Sequence, residues 1–291
     1  MHPAPSLIAF TVLSGLGLGL LALLGLGRIA PTGWPAFLWF GLGYGLTLSG
    51  LAASALHLGH PERALKAFTQ WRSSWLSREA VLSAATLLVM APHAAGSVFL
   101  ATPLPVVGWG GAALALLTVF ATAMIYAQLK TVPRWHHWSV PVLFLLAALA
   151  GGFVLIGDIT LGPMALALLA IAILSHWMIG DQRFAAEGHT AETATGLGGI
   201  GQVRLLEPPH TGKNYLLREM VHVVGRKHAA RLRVLALICA VILPMLALIL
   251  APGAMLAWAL AVALHVAGML AARWLFFAEA EHVVGLYYGR H

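Results

Sequence analysis

The run SLIAFTVLSGLGLGLLALLGLG, Ser6 to Gly27, contains no charged side chain. Near the other end of the chain, VLALICAVILPMLALILA, Val234 to Ala251, is equally free of charge. An α-helix needs about 20 mostly apolar residues to cross the ~30 Å hydrocarbon layer of a bilayer. Both runs meet that length, and neither alternates apolar and polar residues as a membrane β-strand does. Working outward, six further runs share the pattern: Phe37–Leu58, Val81–Leu100, Val106–Gln128, Ser139–Gly157, Leu161–Ile179 and Gly253–Phe277. The breaks carry turn chemistry, at Pro31 and Pro35, Pro103 and Pro105, Pro133, Pro163 and Pro252-Gly253. The fifth and sixth runs join through Asp158. The expectation is an all-α, polytopic integral membrane protein with eight transmembrane helices in a bundle.

Composition agrees. Of 291 residues, 60% are apolar and 9% charged, and mean hydropathy is +0.86. Soluble domains carry roughly 25% charged residues, so a soluble globular protein and a disordered chain are both excluded. The ten Trp fit interfacial anchoring. Met1 to Pro5 holds no Lys or Arg, so no secretory n-region precedes the first run. The single cysteine, Cys239, allows neither an intrachain disulfide nor a Cys-ligated iron–sulfur cluster. The net charge of +7 reads as a topology signal rather than a nucleic-acid footprint.

With eight spans, the termini share a side with the loops after helices two, four and six. Sixteen of the seventeen Lys and Arg fall there, and only Arg28 falls opposite. Setting aside the long sixth loop leaves the bias intact. The positive-inside rule therefore puts both termini and these loops in the cytoplasm. The whole of 1–291 reads as one membrane domain. Within it, 180–233 is the one sizeable loop, too short for an independent catalytic domain. Its Lys213–Arg233 part reads as a basic amphipathic helix on the membrane surface or under a partner.

Polar residues concentrate between helices two and three, in His57-Leu-Gly-His60-Pro-Glu-Arg63 and Trp71-Arg72-Ser-Ser-Trp75-Leu-Ser-Arg78-Glu79. His57 falls at the membrane boundary, and Glu79 near the first turn of helix three, where the helix dipole favours a carboxylate. Ionisable groups at membrane depth are costly and mark functional sites. A His and a carboxylate facing each other at the lipid boundary can bind a quinone carbonyl and move its protons. The same spacing also describes a loop held by a Glu–Arg pair and a helix-capping His.

Other polar residues carry a similar choice of roles. His93, His176 and His265 lie within spans, where a pair could ligate a b-type haem or each could simply be bonded between helices. His136 and His137 lie between Trp135 and Trp138 in an interfacial girdle. Asp158 reads as a helix cap or as the start of a proton path. Gly15 with Gly19, and Gly41 with Gly45, have the spacing of closely packed helices. Gly196 to Gly201 formally matches G-x-G-x-x-G but lacks the strand that a dinucleotide site requires.

The chain resembles the membrane-anchor subunits of the dimethyl sulfoxide reductase family of molybdoenzymes. The resemblance rests on Met1-His-Pro-Ala-Pro-Ser6 with Ser14-Gly15, and on Leu56-His-Leu-Gly-His-Pro-Glu-Arg63. It continues in Gln70-Trp-Arg-Ser-Ser-Trp-Leu-Ser-Arg-Glu79, Thr195-Gly-Leu-Gly198, Leu205-Leu-Glu-Pro-Pro-His-Thr-Gly-Lys-Asn-Tyr215 and Phe276-Phe-Ala-Glu279, and so covers essentially the whole chain. It implies an eight-helix anchor for two soluble subunits. One is a catalytic subunit with a molybdenum bis-pyranopterin cofactor, the other a ferredoxin-like subunit with four [4Fe–4S] clusters. It also implies exchange of electrons with ubiquinone or menaquinone, usually without haem b. By position it ties His57, with His60 as competitor, and Glu79 to quinone binding. Arg63 would tune the local potential, while Trp71, Arg72, Trp75 and Arg78 form the docking segment for the iron–sulfur subunit. Within the family, the charge bias and the Glu207 to Tyr215 segment look closer to the branch that oxidises sulfite in the cytoplasm. An anchor oxidising menaquinol for an S- or N-oxide reductase is the alternative. A transporter is the reading from another class, against which no internal repeat is visible.

Overall fold

The computed structural model describes residues 1–56, 60–207, 212, 214–220 and 228–289. Among these residues the chain is helical, with no strand. Seven helices are long and apolar enough to cross a membrane: α1 (Pro5–Gly25), α2 (Gly33–Ala55), α3 (Trp75–Phe99), α4 (Pro105–Ala127), α6 (Gly162–Ala186), α9 (Ala229–Leu250) and α10 (Met255–Ala278). Between them α5 (Ser139–Leu155) is apolar but only 17 residues long. Two short helices, α7 (Ala191–Thr195) and α8 (Tyr215–Glu219), lie between α6 and α9. Residues 221–227, part of the anticipated basic helix, lie outside the described residues.

Several helices run past their apolar segments. Helix α3 starts at Trp75 rather than Val81, because the Ser74 hydroxyl accepts the Ser77 N–H at 3.4 Å and opens the helix. Glu79 therefore sits one turn inside α3, not in its first turn, and the N-terminal dipole acts on it less directly. Similarly, α6 continues through polar residues to Ala186 and α9 begins at Ala229. An apolar run marks depth in lipid, whereas a helix ends where its backbone groups find other partners.

Helix α1 is the hub and packs against α2, α4, α5 and α10. Close approach is made possible by missing side chains. A Cβ on Gly19 would lie 1.9 Å from the Ala148 carbonyl oxygen of α5, and one on Gly17 would lie 2.5 Å from the Thr47 nitrogen of α2. Gly15, Gly41 and Gly45 have open space around them, so of those anticipated pairs only Gly19 makes a tight crossing.

The helix ends sort into two groups. At the proximal end, the Met1 ammonium donates to Ala280 O at 2.6 Å and Val283 N donates to Thr131 O at 2.9 Å. Tyr126, Trp135, Phe144, Phe276 and Phe277 stack around one another there, and Trp135 Nε1 donates to Phe276 O at 3.0 Å. At the distal end, Arg28 after α1 pairs with Asp158 at 2.5 Å, and Trp258 of α10 donates to Leu155 O at 3.0 Å. Asp158 Oδ1 also accepts the Thr160 and Leu161 N–H groups, each at 2.8 Å, and so fastens the turn into α6.

Helix α9 contains one π-helical segment, Ile238–Ile242. Pro244 has no N–H, so the Ala240 carbonyl loses its ordinary helical donor. His265 of α10 supplies a replacement through Nδ1 at 2.6 Å. Gly268 lets the two backbones meet there, since a Cβ would lie 2.1 Å from Ala240 N.

Candidate functional site

Glu79 is the buried carboxylate of the polar segment, with 4% of its surface exposed. On α3, positions 79, 83 and 86 share one face, and that face meets α4. Thr122 Oγ1 lies within short hydrogen-bonding distance of Glu79 Oε1, and also 3.0 Å from Thr118 O. Farther along, Thr86 and Thr118 exchange a hydroxyl contact at 3.0 Å. A hydroxyl has one proton and two lone pairs. When Glu79 is ionised, Thr122 donates to it. When Glu79 is protonated, it donates to Thr122, whose own hydrogen turns to Thr118 O. The pair thus accommodates both protonation states without moving a heavy atom, which suits a group that gives and takes protons.

The segment before α3 is held by Arg78. Its Nε donates to Trp71 O at 3.0 Å, its Nη2 to Arg72 O at 2.7 Å, and its guanidinium lies 4.2 Å from the Trp75 ring centre. The Trp75 ring meets Phe120 of α4 edge-on at 5.9 Å. Arg78 is therefore committed to shaping the segment, while Trp71 and Arg72 stay exposed.

Of the other anticipated site residues, His60 and Arg63 lie apart from Glu79. His60 and Arg63 are exposed at the start of the 3₁₀ turn Pro61–Phe68. His60 Nδ1 contacts Glu62 Oε1 at 2.9 Å, and Arg63 N donates to His60 O at 3.0 Å. Among the described residues no hydrogen bond or ion pair joins either to Glu79. His57 lies outside the described residues.

The three intramembrane histidines are each fixed through Nδ1. His93 Nδ1 contacts Leu104 O at 3.0 Å, His176 meets Ser139 Oγ at 3.0 Å, and His265 meets Ala240 O. His176 and His265 border separate small cavities, each with about 20 Å³ of space for a water's centre.

Sequence reasoning missed the ion-pair network at the proximal end. Arg233 of α9 bonds both Asp181 oxygens, at 2.6 and 2.7 Å, and Glu279 Oε1 at 2.7 Å. Arg134 bonds Asp181 and, at 3.4 Å, Glu279. Four segments of chain are tied together in this way. The signal was present in Glu279, which ends Phe276-Phe-Ala-Glu279 at the close of an apolar run. The burial of Arg273, at 3% exposure, was missed as well.

Residues 1–179 match the family described as DMSO reductase anchor subunit (DmsC). This chain belongs to that family. A curated relative, a sulfite dehydrogenase subunit of Allochromatium vinosum, is 31% identical over 322 aligned residues that cover 99% of each chain. No solved structure matches the chain. As a DMSO reductase-type anchor, the chain is a membrane subunit of an oxidoreductase complex. In this anchor, Glu79 and Thr122 belong to α3 and α4, both within the matched residues.

Proposed function

We propose that this anchor is the quinone-reactive membrane subunit of a sulfite dehydrogenase. Sulfite and water give sulfate, two protons and two electrons; quinone takes up two electrons and two protons to become quinol. The molybdenum bis-pyranopterin and four [4Fe–4S] clusters of the partner subunits supply the first half-reaction and the electron path. This chain supplies the place where quinone meets protons. The observation that carries the reading is the Glu79–Thr122 pair, a buried carboxylate built to hold or release a proton, beside the docking segment. His57 bonds a quinone oxygen, with His60 the competing ligand, and Glu79 delivers the proton. Arg63 sets the local potential. Trp71 and Arg72 face the ferredoxin-like subunit, and Trp75 and Arg78 hold that surface in shape.

In this reading α5 also crosses the bilayer. Its 17 residues span roughly 26 Å at 1.5 Å per residue, close to the hydrocarbon thickness. Eight crossings in one bundle put both termini, the docking segment and the 180–233 loop with its basic helix on the cytoplasmic side of the inner membrane. Sulfite oxidation and proton uptake then share a compartment, and the complex does not itself separate charge. An S- or N-oxide reductase fed by menaquinol would use the same site in reverse.

The test uses the whole complex in mild detergent, with sulfite-driven ubiquinone reduction followed beside sulfite-driven dye reduction. Glu79→Gln and His57→Ala should each lower quinone turnover by roughly a hundredfold, the usual scale for losing a positioned acid or base, with dye reduction unchanged. Full quinone turnover in both variants refutes the site. Activity only from quinol to dimethyl sulfoxide assigns the chain to the reductase branch.

A further inference from the structure

Arg273 of α10 carries a guanidinium in the interior. It lies 3.6 Å from the centre of the Phe144 ring and 5.9 Å from that of Phe276. Among the described residues no carboxylate lies within ion-pair distance of it, and its Nε has no hydrogen-bond partner. A buried charge left without partners is expensive.

Two small cavities flank this side chain. The first is bordered by Arg273, His265, Met269, Ser14 and Thr122. The second is bordered by Arg273, His176, Met269 and Glu279. Each leaves about 20 Å³ for the centre of a water, and ~10–15 Å³ suffices for one molecule. Each also ends on a histidine nitrogen without a partner, His265 Nε2 in the first and His176 Nε2 in the second. Both histidines are about 2% exposed or less. A carbonyl only accepts, so His265 Nδ1 carries the proton toward Ala240 and Nε2 of the neutral ring is an acceptor. A water in the first cavity can therefore accept from Arg273 and donate to His265. In the second cavity, His176 Nε2 and Glu279 border the space on the far side of Arg273.

His265, Met269 and Arg273 are spaced four apart and share one face of α10. Glu279 follows at the proximal end, in contact with Arg233. The first cavity reaches Thr122, the partner of Glu79. We propose that both cavities hold water and that, with His176, Arg273 and His265, they form an internal proton route from Glu279 to the Thr122–Glu79 pair. The proposal rests on the reading of Glu79 as the proton carrier for quinone. Arg273 is protonated before and after each transfer. Its positive charge disfavours an excess proton between the cavities and favours the opposite movement. Ionised Glu79 takes a proton through Thr122 from the first cavity's water; Arg273 replaces that proton and regains one from the second cavity's water, which is refilled beside Glu279.

The first test reads water directly. Radiolytic hydroxyl labelling of the intact complex oxidises buried side chains that touch resident water. Met269 borders both cavities, whereas Met90 is fully buried and borders neither. Met269 should label several-fold faster than Met90; equal rates mean dry cavities and overturn the proposal. The second test uses Arg273→Met and His176→Phe, with Arg273→Lys as the conservative variant. The first two should slow quinone reduction roughly tenfold to a hundredfold and increase its slowing in D2O, with dye reduction unchanged. Arg273→Lys should restore much of the rate. Rapid labelling of Met269 with parental quinone kinetics in both variants overturns the route. If instead Glu79→Gln retains full quinone turnover, the parent reading of Glu79 fails while the labelling still reports the water.

Discussion

Asp158 holds Arg28 with one carboxylate oxygen and two backbone N–H groups with the other, and so joins the end of α1 to the turn between α5 and α6. The Arg28 hydrogen bond is the main cause that lowers the Asp158 carboxyl to about 2. A group whose folded value is depressed stabilises the fold above its ordinary value, about 3.9, and loses that contribution as pH falls through the folded value. Asp158→Asn should therefore lower the melting temperature of the detergent-purified complex slightly at about pH 6 and by less at about pH 3. Quinone turnover should be unchanged, since the distal pair lies at the opposite end from Glu79. A loss of turnover would place Asp158 in a proton path instead.

The crossing of α1 and α5 predicts a contrast between two glycines. Gly19→Ala would drive its Cβ into the Ala148 backbone, and overpacking of this kind costs about 1–3 kcal/mol or more. Gly15→Ala meets nothing within 4 Å and should stay within about 0.5 kcal/mol of the parent. Thermal unfolding of the two variants side by side checks this. Equal destabilisation would mean that the crossing can shift to make room.

Thr122→Val keeps the shape of the side chain but removes the hydroxyl that serves Glu79. Leaving a buried polar group unsatisfied costs about 1–3 kcal/mol, so stability should fall by that order. Quinone turnover should fall further than in Thr122→Ser, which keeps the hydroxyl. Identical kinetics in the Val and Ser variants would remove Thr122 from the proton chemistry.

Arg78→Ala releases the Trp71 and Arg72 carbonyls together. Each lost hydrogen bond is worth about 1 kcal/mol, enough to loosen the segment without unfolding α3. The expected result is weaker retention of the soluble subunits on co-purification, with the anchor still inserted and folded. Undiminished retention would show that docking does not depend on the shape Arg78 imposes.

Much of this architecture is legible in the sequence because lipid imposes a simple rule on length and polarity. The apolar runs located every long helix among the described residues. They did not locate helix ends, since Ser74 capping α3 and the polar last turns of α6 follow backbone hydrogen bonding rather than hydropathy. Glycine spacing was a poor guide to close packing. Spacing says which glycines share a face, not which face meets a neighbouring helix, and Gly17 and Gly50 are tight while Gly15 and Gly41 are not. Glu79 stood out as a carboxylate at the edge of an apolar run. Its partner Thr122 did not, because a threonine inside a membrane helix is unremarkable until the facing helix is known. Arg273 was counted with the loop charges, since its distance from the helix end said nothing about which way it points.

The central place of α1 bears on how the molecule is made. Of these helices it leaves the ribosome first, yet its faces are covered by α4, α5 and α10, which are synthesised progressively later. It must wait in the bilayer, its glycine-lined grooves facing lipid, until α10 arrives and the Met1 ammonium can meet Ala280. Assembly can thus start from the α1–α2 pair, but the packing around α1 is complete only when α10 closes on it. A chain cut short before α10 would leave its earliest helix without one of its packing partners and Met1 without Ala280.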